Sequence, residues 1–591
     1  QLSYNEEAMQ KRKIELKECL KTYTYDQDKA MSPVETVERF QEKLKTVNLD
    51  ILKEIRRIDN GRLDIPVYFS VCGKDALNTI GNKKQMGKGS TPEQSRASAC
   101  MELGERFSFF SFKSNPANFV NSTYEDLKAE GKPVLPLERL LQSVHDEKTS
   151  PELLARMLEG ITMQWVWATN LSAGGKEVLV PFSWFYAINE FNGPSAGNTY
   201  EEAVNQGVCE IVERHVCSLV CRNEIKTPLI DPDSVKDPVA RELLDKFARN
   251  GIEVYLNDFS LDTGIPTIGA LAIDRSTFPE SSEIVYTAGT TPNPEKSLIR
   301  ALTEVAQLAG DFNSKANYVA SGLPKPLSMD EVQYITNPGK TVSIDELPDL
   351  TDNDIRVEDE RCIEALKKLD MEVLIVNTMH DDLQIPTLYT IVPGAHFRER
   401  SMVSNAGLFA AKLVNELIDD PEEKARHFSR LEELAPASYF IEFYLGQNLY
   451  NTGRPAEALP RLRRALDLNP DQEDIPYIYS FLGSCLKDLE QYDEAITTLK
   501  QGTEHDDERP DLHNLLGFCY FKLADHAAAV EHFSRAVHLA PNSAIDYANL
   551  GVNYRKLGKN EEAMKSLALA LSLDPSIAFA QQHMDELAAE G

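Results

Sequence analysis

Three stretches of this 591-residue chain bring glutamate and arginine together at helical spacing. In the first, Ser98, Glu102, Glu105 and Arg106 fall at i, i+4, i+7 and i+8, which puts a hydroxyl, two carboxylates and a guanidinium on one side of a helix. In the second, Asn198, Glu202, Gln206, Glu210, Glu213 and Arg214 make a longer ladder, with Ala203, Val208, Ile211, Val212 and Val216 on the other faces. In the third, Arg300 and Glu304 stand at i+4 with Gln307 one turn on, among Leu298, Ala301, Leu302 and Val305. Carboxylates at this density repel each other unless a cation lies between them, and hard divalent ions such as Mg²⁺ take carboxylates together with substrate phosphates. Arginine's planar fork matches phosphate oxygens. The chemistry these types and spacings point to is a metal and phosphate site, that is, a nucleotide site.

Spacing alone leaves solvated helix faces as an equal alternative, because glutamate–arginine neighbours are usually weak surface pairs. The same E-x-x-E-R occurs at Glu35, Glu38 and Arg39 with no ladder around it. A di-iron carboxylate bundle would need E-x-x-H pairs, and His215 sits two residues after Glu213. The P-loop pattern G-x-x-x-x-G-K-[ST] is absent. In G-N-K-K-Q-M-G-K-G-S (81–90), the Gly87-Lys88-Gly89 turn either offers backbone N–H groups to an anion or is a flexible connection, and the connection is preferred. Cys209, Cys217 and Cys221 have only His215 near them in sequence and suit core packing better than nucleophilic catalysis.

The elements that must carry these groups are of two kinds. From about Tyr23 to Leu408, short β-like runs (65–71, 174–181, 268–274, 372–378 and 388–393) alternate with amphipathic helical stretches, which predicts an α+β domain of enzyme size. Residues 1–22 read as an N-terminal extension. Residues 409–434 read as a helical connector in which Asp419, Asp420 and Pro421 stop and restart the helix. Beyond it, over 435–591, Gly446, Gly483, Gly517 and Gly551 recur at spacings of 37, 34 and 34, in step with Ala458, Ala495, Ala529 and Ala563. Pro470, Pro541 and Pro575 mark the turns. Three series holding a period near 34 predict about four tetratricopeptide repeats, an all-α solenoid whose role is binding.

Charge and cysteine usage narrow the class. A net charge of −31, from 62 basic and 93 acidic residues, repels nucleic acid and anionic membranes. Nine cysteines form no C-x-x-C pair, which points to free thiols and a reducing compartment. No apolar run approaches the roughly 18 residues that span a bilayer, and the charged start has no signal-peptide core, so a cytoplasmic protein is expected.

Taken together, Gly87 to Gly89, S-A-C-M-E-L-G-E-R (98–106) and S-A-G-N-T-Y-E-E-A-V-N-Q-G-V-C-E-I-V-E-R (195–214) resemble the YcaO family. The likeness extends upstream through Lys29, Thr36 and Phe40 and downstream through Arg300 to Glu304 and Thr390 to Gly394, about two thirds of the chain. The resemblance implies a YcaO-type catalytic domain over 23–408 that binds ATP without a P-loop. Glu102, Glu105, Glu202, Glu210, Glu213 and Glu304 would be Mg²⁺ ligands, and Lys29, Thr36, Ser98, Arg106, Asn198, Gln206, Arg214 and Arg300 would hold the nucleotide. It further implies phosphoryl transfer to a backbone amide oxygen of a peptide or protein substrate. A Cys, Ser or Thr nucleophile then gives an azoline and sulfide a thioamide; a further version of the family assists β-methylthiolation of a ribosomal protein. A homodimer is expected on the same ground. The proline-rich tail of many azoline-forming members is replaced here by the repeats, which would recruit the substrate, a sulfur-delivery protein or another accessory partner. The alternative is an ATP-responsive scaffold without catalysis, in which the repeats do the work.

Overall fold

The computed structural model describes residues 12–81, 84–189, 191–315, 318, 323–397 and 404–590. The chain divides into two units, one of Gln1–Pro151 with Glu159–Arg400 and one of Glu152–Leu158 with Ser401–Gly591.

The first unit is mixed α and β. Its strands are β1 (Leu52–Arg57), β2 (Val67–Cys72), β3 (Lys84–Lys88), β4 (Val120–Ser122), β5 (Met163–Asn170), β6 (Lys176–Pro181), β7 (Pro194–Ala196), β8 (Leu229–Ile230), β9 (Glu253–Asp258), β10 (Thr267–Ile273), β11 (Val285–Thr290), β12 (Thr341–Val342), β13 (Leu374–Asn377) and β14 (Thr387–Ile391). Among the described residues they form three sheets. One is the antiparallel meander β1-β2-β3; the second runs β11-β10-β9-β8-β12; the third runs β4-β5-β13-β14-β7, with β6 beside β5. Each of the five β-like runs seen in the sequence overlaps a strand. Among the strands outside those runs, β1 (L-K-E-I-R-R) carries charge on positions that remain exposed, whereas β5 and β11 are largely buried and uncharged.

Strand β10 shows why one such run is apolar at every position. Leu271 and Ile273 enter one core with Val212, Val216 and Cys362, whereas Ile268, Ala270 and Ala272 enter another with Leu243, Phe247 and Leu302. A strand covered on both faces cannot alternate with polar residues. Each fully buried aliphatic side chain there contributes roughly 1.5–3 kcal/mol.

Four helices of this unit matter below: α1 (Pro33–Thr46), α2 (Pro92–Ser114), α3 (Tyr200–Asn223) and α4 (Pro294–Ala309). Each starts at a capping side chain that accepts a backbone N–H: Ser32 from Glu35, Thr91 from Gln94, Thr199 from Glu202 and Asn293 from Lys296. In α1, α2 and α4 a proline follows the cap, where its missing N–H costs nothing.

In the second unit, helices Ala406–Leu417 and Pro421–Leu434 precede four helical hairpins, Tyr439–Asn451 with Pro455–Asp467, Ile475–Asp488 with Tyr492–His505, Pro510–Lys522 with His526–Leu539, and Ala544–Lys556 with Asn560–Leu573; Ala578–Glu590 follows. Asp420 caps the second helix by accepting from Glu423 N. The periodic glycines mark close approach within each hairpin. A Cβ on Gly483 would lie 2.2 Å from Leu499 Cδ2. The four periodic alanines are fully buried.

Candidate nucleotide site

All fourteen site residues anticipated from the sequence line one cavity of about 500 Å³ in the first unit. Helix α2 brings Ser98, Glu102, Glu105 and Arg106; α3 brings Glu202, Gln206, Glu210, Glu213 and Arg214, with Asn198 just before it; α4 brings Arg300 and Glu304. Lys29 comes from the loop ahead of α1 and Thr36 from α1 itself. Glu35, Glu38 and Arg39, which carry the same local motif, are exposed away from it.

Short polar contacts fix the walls. Asn198 Nδ2 donates to Thr36 Oγ1 over 2.9 Å, tying the start of α3 to α1. Glu202 accepts from Ala30 N at 2.7 Å and from Asn198 N at 3.1 Å, and so holds the loop that carries Lys29. Arg300 Nη1 donates to Gln206 Oε1 over 2.8 Å and links α4 to α3. Arg106 pairs with Glu102 at 3.3 Å and Arg214 with Glu210 at 3.9 Å, each one turn apart on its own helix.

The carboxylates are under electrostatic load. Burial pushes Glu102, Glu105 and Glu210 above their ordinary range. The shift is largest at Glu105, where the charges of Glu210 and Glu102 add to burial against the pull of Arg106 and Arg300. At Glu210 the pull of Arg214 opposes burial and Glu213 reinforces it. Glu102 and Arg106, 31% and 35% exposed, face the open cavity, where water screens their attraction.

Lys88 also lines this cavity, although the sequence does not single it out. The Gly87-Lys88-Gly89 turn is not a flexible connection, as had been expected. Gly87 and Lys88 end β3, where Lys88 pairs with Val67 of β2, and Lys88 N donates to Ser98 Oγ over 3.2 Å. The Lys88 ammonium forms an ion pair with Glu304 inside the cavity. Burial, with Arg300 nearby, brings it down to about 8, against the pull of Glu213 and Glu102. The signal available was a lysine flanked by two glycines directly before the α2 ladder. The cysteines and the histidine of α3 do not line it: Cys209 and Cys217 pack in the interior, and His215 Nδ1 accepts from His396 N at 3.0 Å.

Residues 86–396, more than half of the chain, match the family described as YcaO cyclodehydratase, ATP- and Mg²⁺-binding. The chain belongs to the YcaO family. Its stretches 449–517, 510–543 and 547–577 match tetratricopeptide repeats. An uncharacterized protein of Methanothermobacter thermautotrophicus is 29% identical to this YcaO chain over 400 residues, 62% of this chain and 94% of that protein. The ribosomal protein S12 methylthiotransferase accessory factor YcaO of Escherichia coli is 24% identical over 306 residues, 49% of this chain and 50% of its own length. Among solved structures, a heterocyclase in complex with substrate and cofactor shares the fold, with a TM-score of 0.52 at 21% identity over 65% of this chain and 54% of its own.

The YcaO family binds ATP and Mg²⁺, and the donor set of this cavity suits both. Glu213 Oε2, Arg106 Nε and Arg300 Nε are buried without a hydrogen-bond partner among the described residues. Most buried polar atoms have a protein or water partner, so these three are available to a ligand in the cavity. Among the described residues no three His, Cys, Asp or Glu side chains stand together as a ready-made chelating group. Among the described residues no helix is long and apolar enough to cross a membrane.

Proposed function

We propose that this chain is an ATP- and Mg²⁺-dependent enzyme that activates a backbone amide of a peptide or protein substrate. The observation that carries the reading is the convergence of six glutamates, three arginines and Lys29 from separate segments on one cavity of about 500 Å³, a size within the range of small-molecule sites. ATP supplies the phosphoryl group that turns a poor leaving group, the amide oxygen, into a good one, while Mg²⁺ offsets the charge that develops. Glu102, Glu105, Glu210, Glu213 and Glu304 offer carboxylate oxygens to the metal. Glu202, whose oxygens already accept from Ala30 and Asn198, adds only its remaining lone pairs. Arg106, Arg214, Arg300 and Lys29 supply positive charge for phosphates, and Thr36, Ser98, Asn198 and Gln206 supply neutral hydrogen bonds that orient the nucleotide.

The product is an azoline where a Cys, Ser or Thr side chain of the substrate is the nucleophile and a thioamide where sulfide is; assistance to ribosomal-protein methylthiolation, the role in the name of the Escherichia coli relative, is the third form of the same reading. The repeats recruit the substrate or a sulfur-delivering partner. The first test is calorimetric titration of ATP, with and without Mg²⁺, into the wild type and the Glu210→Ala variant. Metal-dependent binding by the wild type alone supports the site, and mass spectrometry of candidate peptides then reads loss of water or exchange of oxygen for sulfur. Absence of binding by both proteins defeats the catalytic reading in favour of a repeat-based scaffold.

A further inference from the structure

We propose that Lys88 is a phosphate-contact residue of this cavity and that its partner Glu304 couples metal binding to phosphate binding. The inference rests on the nucleotide reading above. It adds a residue from a strand to a site otherwise drawn from helices and the segments leading into two of them.

The backbone of Lys88 is fixed. A Cβ on the preceding Gly87 would lie 2.2 Å from Ala99 N and from Ser95 O, so the turn lies against α2 with no room for a side chain. Lys88 N is held by Ser98 Oγ, and Ser95 Oγ donates to Gly87 O at 2.8 Å. The long side chain therefore enters the cavity from an immobile root and crosses to Glu304 on α4.

Its charge is placed differently from those of the arginines. Arg106 and Arg214 each pair with a glutamate one turn earlier on the same helix, and Arg300 is engaged with Gln206. Lys88 instead pairs across the cavity with a carboxylate proposed to ligate Mg²⁺. Once the Glu304 oxygens serve a divalent ion they no longer neutralise the ammonium, and phosphate oxygens become the anions within its reach. An ammonium, a compact charge with three donors, suits the tetrahedral array of oxygens on a phosphate. Metal at Glu304 and phosphate at Lys88 thus favour each other.

The test is calorimetric titration of a non-hydrolysable ATP analogue and of AMP, both with Mg²⁺, into the full-length wild type and the Lys88→Met and Lys88→Gln variants, with thermal melts as a check on folding. The expected result is that both variants bind the triphosphate analogue about tenfold or more weakly while AMP affinity stays at the wild-type value. Wild-type affinity for the analogue in a folded variant would overturn the inference and leave the nucleotide site standing. So would equal weakening of analogue and AMP, which marks Lys88 as a mere support of the cavity shape. Should the wild type bind no nucleotide, the nucleotide reading fails and this inference with it. Lys88→Gln keeps a hydrogen-bonding group opposite Glu304 and serves should Lys88→Met fail to fold.

Discussion

Arg300 Nη1 donates to Gln206 Oε1 over 2.8 Å and joins α4 to α3 across 94 residues of chain. One face of that guanidinium's fork is thereby spoken for, and its Nε remains without a partner among the described residues. The arrangement aims a charged, planar donor into the cavity at an angle set by a neutral amide. A lysine at 300 could keep the charge but not the fork. Arg300→Lys is therefore expected to weaken Mg²⁺-dependent ATP binding about tenfold or more, and Gln206→Ala by less. A double-mutant cycle should return a coupling of about 1–3 kcal/mol. Strictly additive effects would mean the contact does not orient the guanidinium.

Loss of a carboxylate should separate function from folding. Glu102→Ala and Glu210→Ala each remove a donor that burial already disfavours as an anion. Both variants are expected to lose ATP turnover while melting at or above the wild-type temperature, because each deletion removes a carboxylate whose charged form burial disfavours. Turnover retained by both would sink the assignment of these glutamates.

The pH dependence has a definite sign. Burial, then the charges of Glu210 and Glu102, raises the Glu105 carboxyl well above the ordinary 4.5. A carboxyl raised in the folded chain binds its proton more tightly folded than unfolded, so its contribution to stability is complete below the unfolded value. That contribution is lost as pH rises through the folded one. The ligand-free protein should therefore lose stability from this group as pH rises above 4.5. Divalent-ion affinity should climb over the same interval, since the metal takes the anion. Glu105→Gln mimics the protonated state. The melting temperature of this variant should exceed that of the wild type increasingly as pH rises above the ordinary 4.5, and a difference independent of pH would contradict the shift.

The repeat unit offers a test independent of nucleotide. Gly483→Ala places a methyl 2.2 Å from Leu499 Cδ2, a collision between neighbouring helices of one hairpin. Overpacking of this kind costs about 1–3 kcal/mol. It should appear in chemical denaturation of the full-length protein while the ATP titration is unchanged. A stability equal to wild type would mean the hairpin has room to relax.

Much of this was legible beforehand because periodicity reports on neighbours within one element. The 34-residue recurrence of Gly446, Gly483, Gly517 and Gly551 needs only helix-on-helix packing inside each repeat, and the hairpins follow from it. The three glutamate–arginine ladders likewise name the face of each helix that carries charge. The caps at Thr91, Thr199 and Asn293 are equally local, each set by a side chain three residues ahead of the N–H it accepts.

What a face meets is not a local property. Glu35, Glu38 and Arg39 have the same spacing as Glu102, Glu105 and Arg106, yet the first set is solvated and the second lines the cavity. The difference arises from where β3, α2, α3 and α4 cross, and nothing inside either segment encodes it. Lys88 was misread for that reason. A lysine between glycines looks like a flexible turn until Gly87 is pressed against α2 and the ammonium reaches Glu304, 216 residues further along the chain. The sequence on its own specified the elements, the repeats and the kinds of chemistry available. The tertiary structure decided which charges share one cavity, because Coulomb and desolvation energies depend on distance and burial rather than on position in the chain.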